Sequence, residues 1–260
     1  MEKVQKIANK KIVIWGSKPL TYNCIKYLNK IIEDYNGARI SSIVVSKKEL
    51  DKKSLSLKKI IIFAIQNEVD ILLGNAPGKI KGDIGICIGY PEKITLDQIN
   101  NFKNGIINIH FAPLPYYRGS KTLSHAIING EKRFGISLHY ITEGIDEGPL
   151  IDVKFVDLPE RKPAKEINRT LEKIAFKTFK KYINQIITKD YIPAISQSYF
   201  IKKDKIVPKF YTRKSLQNYY KVSKKWSHEK LFDVVRALST DGKQMPYFEE
   251  NGKKIYLIVK

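Results

Sequence analysis

KIVIWGSKPLTYNCIKYLNKII, residues 11 to 32, sets the architecture. Its first residues are an apolar, β-branched run that stops at Gly16-Ser17, the pattern of a buried strand meeting a tight turn. The following residues place Leu20, Cys24, Tyr27, Leu28, Ile31 and Ile32 at helical spacing. Strand, turn and helix in that order open a βαβ unit. Working outward, RISSIVVS (39–46), DILLG (70–74), DIGICIGY (83–90) and GIINIHF (105–111) read as further strands. LKKIIIFAIQNEV (57–69) suits either a strand or a helix, and a helix is expected over 95–103. Strands spaced this way imply an α/β fold: a Rossmann-like, mostly parallel sheet with helices on both faces.

The second half changes character. SKTLSHAIING (120–130) reads as a helix stopped at Asn129-Gly130. FGISLHYIT (134–142) and LIDVKFVDL (150–158) read as an antiparallel or skewed strand pair, and residues 164–187 as a long amphipathic helix. Beyond 190, SQSYFIKK and VPKFYTRK read as short aromatic strands, followed by a helix at HEKLFDVVRAL (228–238) and a closing KKIYLIVK. The expected division is a catalytic core over 1–190 and a small C-terminal α+β subdomain over 191–260.

Composition narrows the function classes. The chain has 260 residues and is 43% hydrophobic, enough for a substantial core. It has no apolar run long enough for a membrane helix, and its basic start lacks the apolar region of a secretory signal. Two cysteines, Cys24 and Cys87, sit in apolar segments, which points to a reducing cytoplasm rather than a disulfide framework. The net charge of +21 suits either nucleic acid or a small anionic substrate. Only seven of the 47 basic residues are Arg, and the lysines are scattered in short pairs, which weakens the nucleic-acid reading. His125, His139 and His228 show no metal-ligand spacing, so no metal is expected.

Three places carry candidate chemistry. GSKP (16–19) is not G-x-G-x-x-G. It suits a plain turn, or an anion site built from Gly16, Ser17 and Lys18 at a helix N-terminus. Asn108 and His110 alternate with Ile107 and Ile109, so both emerge on one face at the strand's C-terminal end, the edge where open parallel sheets bind ligands. They fit a satisfied polar pair or a pre-formed site, stiffened by Pro113 and Pro115. Asp146, between Gly144 and Gly148, fits an Asx-turn or a carboxylate that orients an imidazole.

NIHFAPLPYYRG (108–119) followed by HAIINGEKRFGISLHYITEGIDEGPLI (125–151) resembles the formyltetrahydrofolate-dependent formyltransferases. The resemblance runs over about residues 83–152 and departs at APLP, where Ala112 and Pro113 replace the Ser and Leu of the family's loop. It implies Asn108, His110 and Asp146 as the catalytic trio, and N10-formyltetrahydrofolate as co-substrate held near Ile88, Gly89, Tyr90, Tyr140, Ile141 and Gly144. No metal is implied. Within the family, the chain looks most like sugar-nucleotide N-formyltransferases, through its length, its RG loop, FYTRK (210–214) and VRALSTDGKQMPYFEENGKKI (235–255). That likeness implies a nucleoside-diphosphate-linked amino-dideoxysugar as acceptor, surface-glycan or O-antigen synthesis, and a cytoplasmic homodimer. Gly16, Ser17, Lys18, Arg118, Tyr211 and Arg213 are the expected acceptor contacts; Tyr211 suits either base stacking or plain packing. A methionyl-tRNA formyltransferase-like enzyme and a basic RNA-binding protein without the chemistry are the competing expectations.

Overall fold

The computed structural model describes residues 5–52, 54–74, 80–239 and 245–259. β1 (Gln5–Trp15) contains the KIVIW run and ends at Gly16, whose φ of 138° lies outside the range that side chains favour. α1 (Pro19–Ile32) follows, with Pro at its start and Leu20, Cys24, Ile25 and Leu28 buried. β2 (Tyr35–Val45) leads through Ser46 into the single turn α2 (Lys47–Leu50). The ambiguous segment is a helix, α3 (Leu55–Gln66): Leu57, Ile60 and Ala64 are buried at helical spacing while Ile62 and Ile65 are exposed. The Ser54 side chain caps it, accepting from the Leu57 N–H at 3.2 Å. Ser54→Ala is expected to cost about 0.5–2 kcal/mol, measurable as a lowered urea midpoint.

β3 (Asp70–Leu73), β4 (Ile84–Ile88), α4 (Leu96–Asn100) and β5 (Ile106–His110) complete the first half. After them come β6 (Tyr117–Gly119), α5 (Thr122–Ile128), β7 (Arg133–Tyr140), β8 (Leu150–Asp157) and α6 (Ala164–Thr188). The remaining elements are α7 (Gln197–Lys203), β9 (Lys209–Tyr211), a 3₁₀ turn at Lys214–Leu216, α8 (Gln217–Tyr220), α9 (His228–Leu238), β10 (Tyr247–Glu250) and β11 (Lys253–Tyr256). SQSYFIKK, expected as a strand, is therefore helical. Its aromatics, Tyr199 and Phe200, are adjacent rather than alternating, and Gln197 is the residue it buries. YRG (117–119), expected as stiff loop, is a strand paired with β9. Of the tail stretch that carried the acceptor likeness, residues 240–244 lie outside the described residues.

The main sheet has seven strands in the order β3-β2-β1-β4-β5-β7-β8. β3, β2, β1, β4 and β5 are mutually parallel. β7 and β8 run in opposite directions: Tyr140 N–H meets the Pro149 carbonyl at 3.0 Å, and Leu158 N–H meets the Lys132 carbonyl at 2.8 Å. The strand order reverses beside β1, and the strands' C-terminal ends line the edge where α/β sheets take ligands.

The chain forms two compact units. The first comprises Met1–His110, Leu138–Asp152 and Ala175–Gln197. Its core gathers Val13, Trp15, Val44, Ile80, Cys87, Ile94, Phe102 and Ile106, with Trp15 edge-on to Phe102 at 5.2 Å. The second comprises Phe111–Ser137, Val153–Ile174 and Ser198–Lys260. In it α5 packs on α9, with the Ser124 hydroxyl donating to the Ala237 carbonyl at 3.1 Å. Arg236, 3% exposed, pairs with Asp233 at 2.6 Å and donates to the carbonyls of Pro159 and Lys162. A buried guanidinium needs that many acceptors.

Candidate active site

The first unit brings Asn108, His110 and Asp146 together at the C-terminal end of β5. Ile107 and Ile109 are fully buried on one side of the strand, which sends Asn108 and His110 to the other. His110 Nδ1 lies 3.5 Å from Asp146 Oδ1, and both side chains are almost wholly shielded from water.

Asp146 is placed by its backbone. Its φ of 55° is left-handed, a conformation that Asp tolerates better than most residues. The Gln197 side-chain amide, 2% exposed, donates to the carbonyls of Asp146 and Gly148, each at 2.8 Å. Gln197 was invisible in the sequence because it lies on a separate helix, α7, about fifty positions along the chain.

A second histidine completes the cluster. His139, 1% exposed on β7, places Nδ1 2.8 Å from the Tyr140 carbonyl and Nε2 3.1 Å from Asn108 Nδ2. Its Nε2 is also 3.7 Å from Asp146 Oδ1, and its ring is edge-on to His110 at 6.2 Å. Burial pushes the imidazole down to about 4, against the opposing pull of Asp146 and with help from His110. Sequence reading set His139 aside for want of metal-ligand spacing. Its alternation with the buried Ser137 on one strand, seven residues before Asp146, was the available signal.

The other expected site residues divide between the units. In the first, the Ile88 carbonyl accepts from the Thr21 hydroxyl at 2.9 Å, and Gly89, exposed with φ 64°, follows it at the end of β4. Tyr90 donates its hydroxyl to Glu92 at 3.0 Å. Tyr140 stacks on Tyr191 at 5.1 Å, and its hydroxyl accepts from the Ile192 N–H at 2.8 Å. Ile141 N–H donates to the Ile106 carbonyl at 2.7 Å, and Gly144 sits beside the Glu147 carboxylate. The Gly16-Ser17-Lys18 turn meets a carboxylate of the chain itself. Ser17 donates to Glu49, and Lys18 and Lys52 reach it at 2.8 and 3.1 Å. Burial works to raise the Glu49 carboxyl, but the bonds from Lys18, Ser17 and Lys52 outweigh it and hold it at about 2.

In the second unit, Arg118 on β6 lies opposite Phe210 of β9. The Tyr211 ring is stacked on Tyr117 at 5.1 Å and on His125 at 4.3 Å, and its hydroxyl accepts from Asn129 at 2.9 Å. Arg213 is exposed just before the 3₁₀ turn. The same unit holds a groove of 460 Å³ lined by Lys121, Thr122, Lys165, Asn168, Arg169 and Glu172 among others. Among the described residues, no cluster of His, Cys, Asp or Glu could hold a metal ion, and no helix is long and apolar enough to cross a membrane.

The family model described as "Formyl transferase" matches residues 30–183, more than half of the chain and a span that includes Asn108, His110, His139 and Asp146. The chain belongs to the formyl transferase family. Among its relatives, a methionyl-tRNA formyltransferase of Mycoplasma genitalium is 32% identical over 150 residues, covering 54% of this chain and 47% of that protein. The chain spans about half the length of the first curated relatives it matches. Among solved structures, a 4-N formyltransferase from Francisella tularensis superimposes with a TM-score of 0.77 at 19% identity, covering 96% of this chain and 97% of that one. A sugar 3N-formyl transferase, WlaRD, solved in the presence of dTDP and 5-N-formyl-THF, gives 0.74 at 26% identity, covering 95% and 85%. As a formyl transferase family member, the chain carries the seven-stranded α/β fold those structures share.

Proposed function

We propose that this protein is an N-formyltransferase that moves a formyl group from N10-formyltetrahydrofolate to the amine of a nucleoside-diphosphate-linked amino-dideoxysugar. The observation that carries formyl transfer is the convergence of Asn108, His110 and Asp146, shielded from water at the sheet's ligand-binding edge, in a chain of this family. The fit to folate is local. Ile88 pairs with Ile109, so Gly89 follows on beside His110, and its exposed, side-chain-free backbone suits a flat ring bonded by main chain. Ile141 and Gly144 offer further backbone near Asp146. Folate supplies the activated one-carbon unit; the rest of the chemistry belongs to the protein.

Asn108 donates an amide N–H to the formyl oxygen, where negative charge develops as the amine attacks. His110 takes the proton that the amine must lose and returns it to the departing nitrogen. Asp146, 3.5 Å away, balances the imidazolium that forms in between and fixes its orientation. The shielded setting strengthens both effects, because field lines are not screened by water.

The acceptor reading is supported by likeness over nearly the whole chain, C-terminal part included, to a sugar 3N-formyl transferase. The second unit's groove, lined by Lys121, Lys165 and Arg169 with Glu172, is by itself of a chemistry that suits an anionic group. Arg118 and Arg213 are further candidates, whereas Lys18 is already paired with Glu49. The product would serve surface-glycan or O-antigen synthesis, made in the cytoplasm by a homodimer. A second reading, formylation of initiator methionyl-tRNA, is favoured by the +21 charge and by the relative 32% identical to this chain.

A panel of amino-sugar nucleotides, initiator Met-tRNA and glycinamide ribonucleotide, each incubated with formyltetrahydrofolate, tests the proposal. A mass gain of one formyl group on an amino-sugar nucleotide is the expected result. Formylation of the tRNA alone would replace the acceptor, and formylation of nothing would remove the activity.

A further inference from the structure

We infer that His139 is a positioning residue: it accepts a hydrogen bond from the Asn108 amide and so fixes which end of that amide faces the reacting oxygen. The inference rests on the reading of Asn108 as the oxyanion donor. It starts from the Tyr140 carbonyl, 2.8 Å from His139 Nδ1. A carbonyl only accepts, so Nδ1 carries the ring proton. A neutral imidazole has one N–H, which leaves a lone pair on Nε2. The atom 3.1 Å from that lone pair is the amide nitrogen of Asn108.

The alternative arrangement is unfavourable. Turning the Asn108 amide over would set its carbonyl oxygen against the Nε2 lone pair, two acceptors in contact at a buried site. The backbone therefore fixes the tautomer, and the tautomer fixes the amide. One N–H of Asn108 is used by His139, and the second remains for the substrate.

Protonating His139 would undo this, since Nε2–H would face the amide N–H and turn toward Asp146 Oδ1, 3.7 Å away. The groups facing the ring are Asn108, His110, Asp146 and the Tyr140 carbonyl. Burial of the ring holds it neutral until about pH 4. Asp146 is thereby left to serve His110, the histidine that must gain and lose a proton. Two imidazoles beside one carboxylate are divided between roles by their surroundings.

Two measurements test the role. Long-range ¹H–¹⁵N correlation on the unaltered chain at neutral pH is expected to show His139 with a protonated Nδ1 and a bare Nε2, without titration above about pH 4. A protonated Nε2 would overturn the inference, whatever the acceptor proves to be. His139→Phe keeps a ring but loses the acceptor, and it should lower kcat by on the order of 10²-fold with little change in KM for folate. His139→Gln, which can accept through its side-chain oxygen, should recover much of that loss. His139→Phe with unaltered kcat, or both variants equally impaired, would overturn it. If His139→Phe does not fold, the tautomer of the unaltered chain decides. Full activity in Asn108→Ala, with the expected tautomer present, would instead fault the reading of Asn108.

Discussion

His110→Ala is expected to lower kcat for formyl transfer by about 10²- to 10⁴-fold, the range over which a positioned general base accelerates proton transfer. The amine cannot complete its attack without losing a proton. Within the cluster, His110 is the histidine whose Nδ1 faces the carboxylate, 3.5 Å from Asp146 Oδ1. Asn108→Ala is expected to cost about 10²- to 10³-fold, the scale of one lost oxyanion donor. Its effect should fall on kcat, because the bond it removes strengthens only as charge develops. The double variant should be little worse than His110→Ala alone, since groups acting in one step are not additive. Steady-state kinetics with a fixed folate donor measure all three. A His110→Ala enzyme within tenfold of wild type would remove proton transfer from the mechanism.

The shared face of Asn108 and His110 was accessible from INIH because a strand's period of two is rigid, while their roles came from the family resemblance. Once residues 105–111 are a strand, Asn108 and His110 must share a face. α9 was equally legible: the helix expected at HEKLFDVVRAL spans His228–Leu238, behind a Ser227 cap. Segments whose local pattern is neutral were decided by distant partners. LKKIIIFAIQNEV became a helix because only a helical face buries Leu57, Ile60 and Ala64 together. SQSYFIKK became a helix that delivers Gln197 to two carbonyls about fifty residues away. The same limit applies to Glu49. Nothing in KKEL announces a carboxylate that is 4% exposed and gripped by Ser17, Lys18 and Lys52. Side-chain pairs formed across tens of residues leave no periodic trace. Asn108 and His110 were therefore readable from one strand, whereas His139, Gln197 and Glu49 were not.

Gly148→Ala is expected to lower kcat by on the order of 10²-fold, through displacement of Asp146 rather than through lost chemistry. A Cβ at Gly148 would overlap the Tyr140 carbonyl, which is backbone of β7 and has no free space to yield. That strand also carries His139, whose Nδ1 is bonded to the same carbonyl. The added methyl must therefore push the loop, and Asp146 lies two residues away in a left-handed conformation held by Gln197. Relieving the overlap by moving the loop changes the His110–Asp146 separation, and moving β7 changes the His139–Asn108 bond. Gly144→Ala, in the same loop, supplies the contrast. The methyl there would meet the exposed Glu147 side chain rather than backbone, and a side chain yields more readily than a strand carbonyl. Its expected loss is small, with stability changed by about 1 kcal/mol or less. Overpacking at Gly148 should cost roughly 1–3 kcal/mol in urea unfolding as well. If the Gly148 variant kept full kcat while unfolding earlier, the loop would be tolerant and the placement of Asp146 less demanding than 3.5 Å implies. If both variants lost activity equally, the Tyr140 carbonyl would not be the discriminating contact.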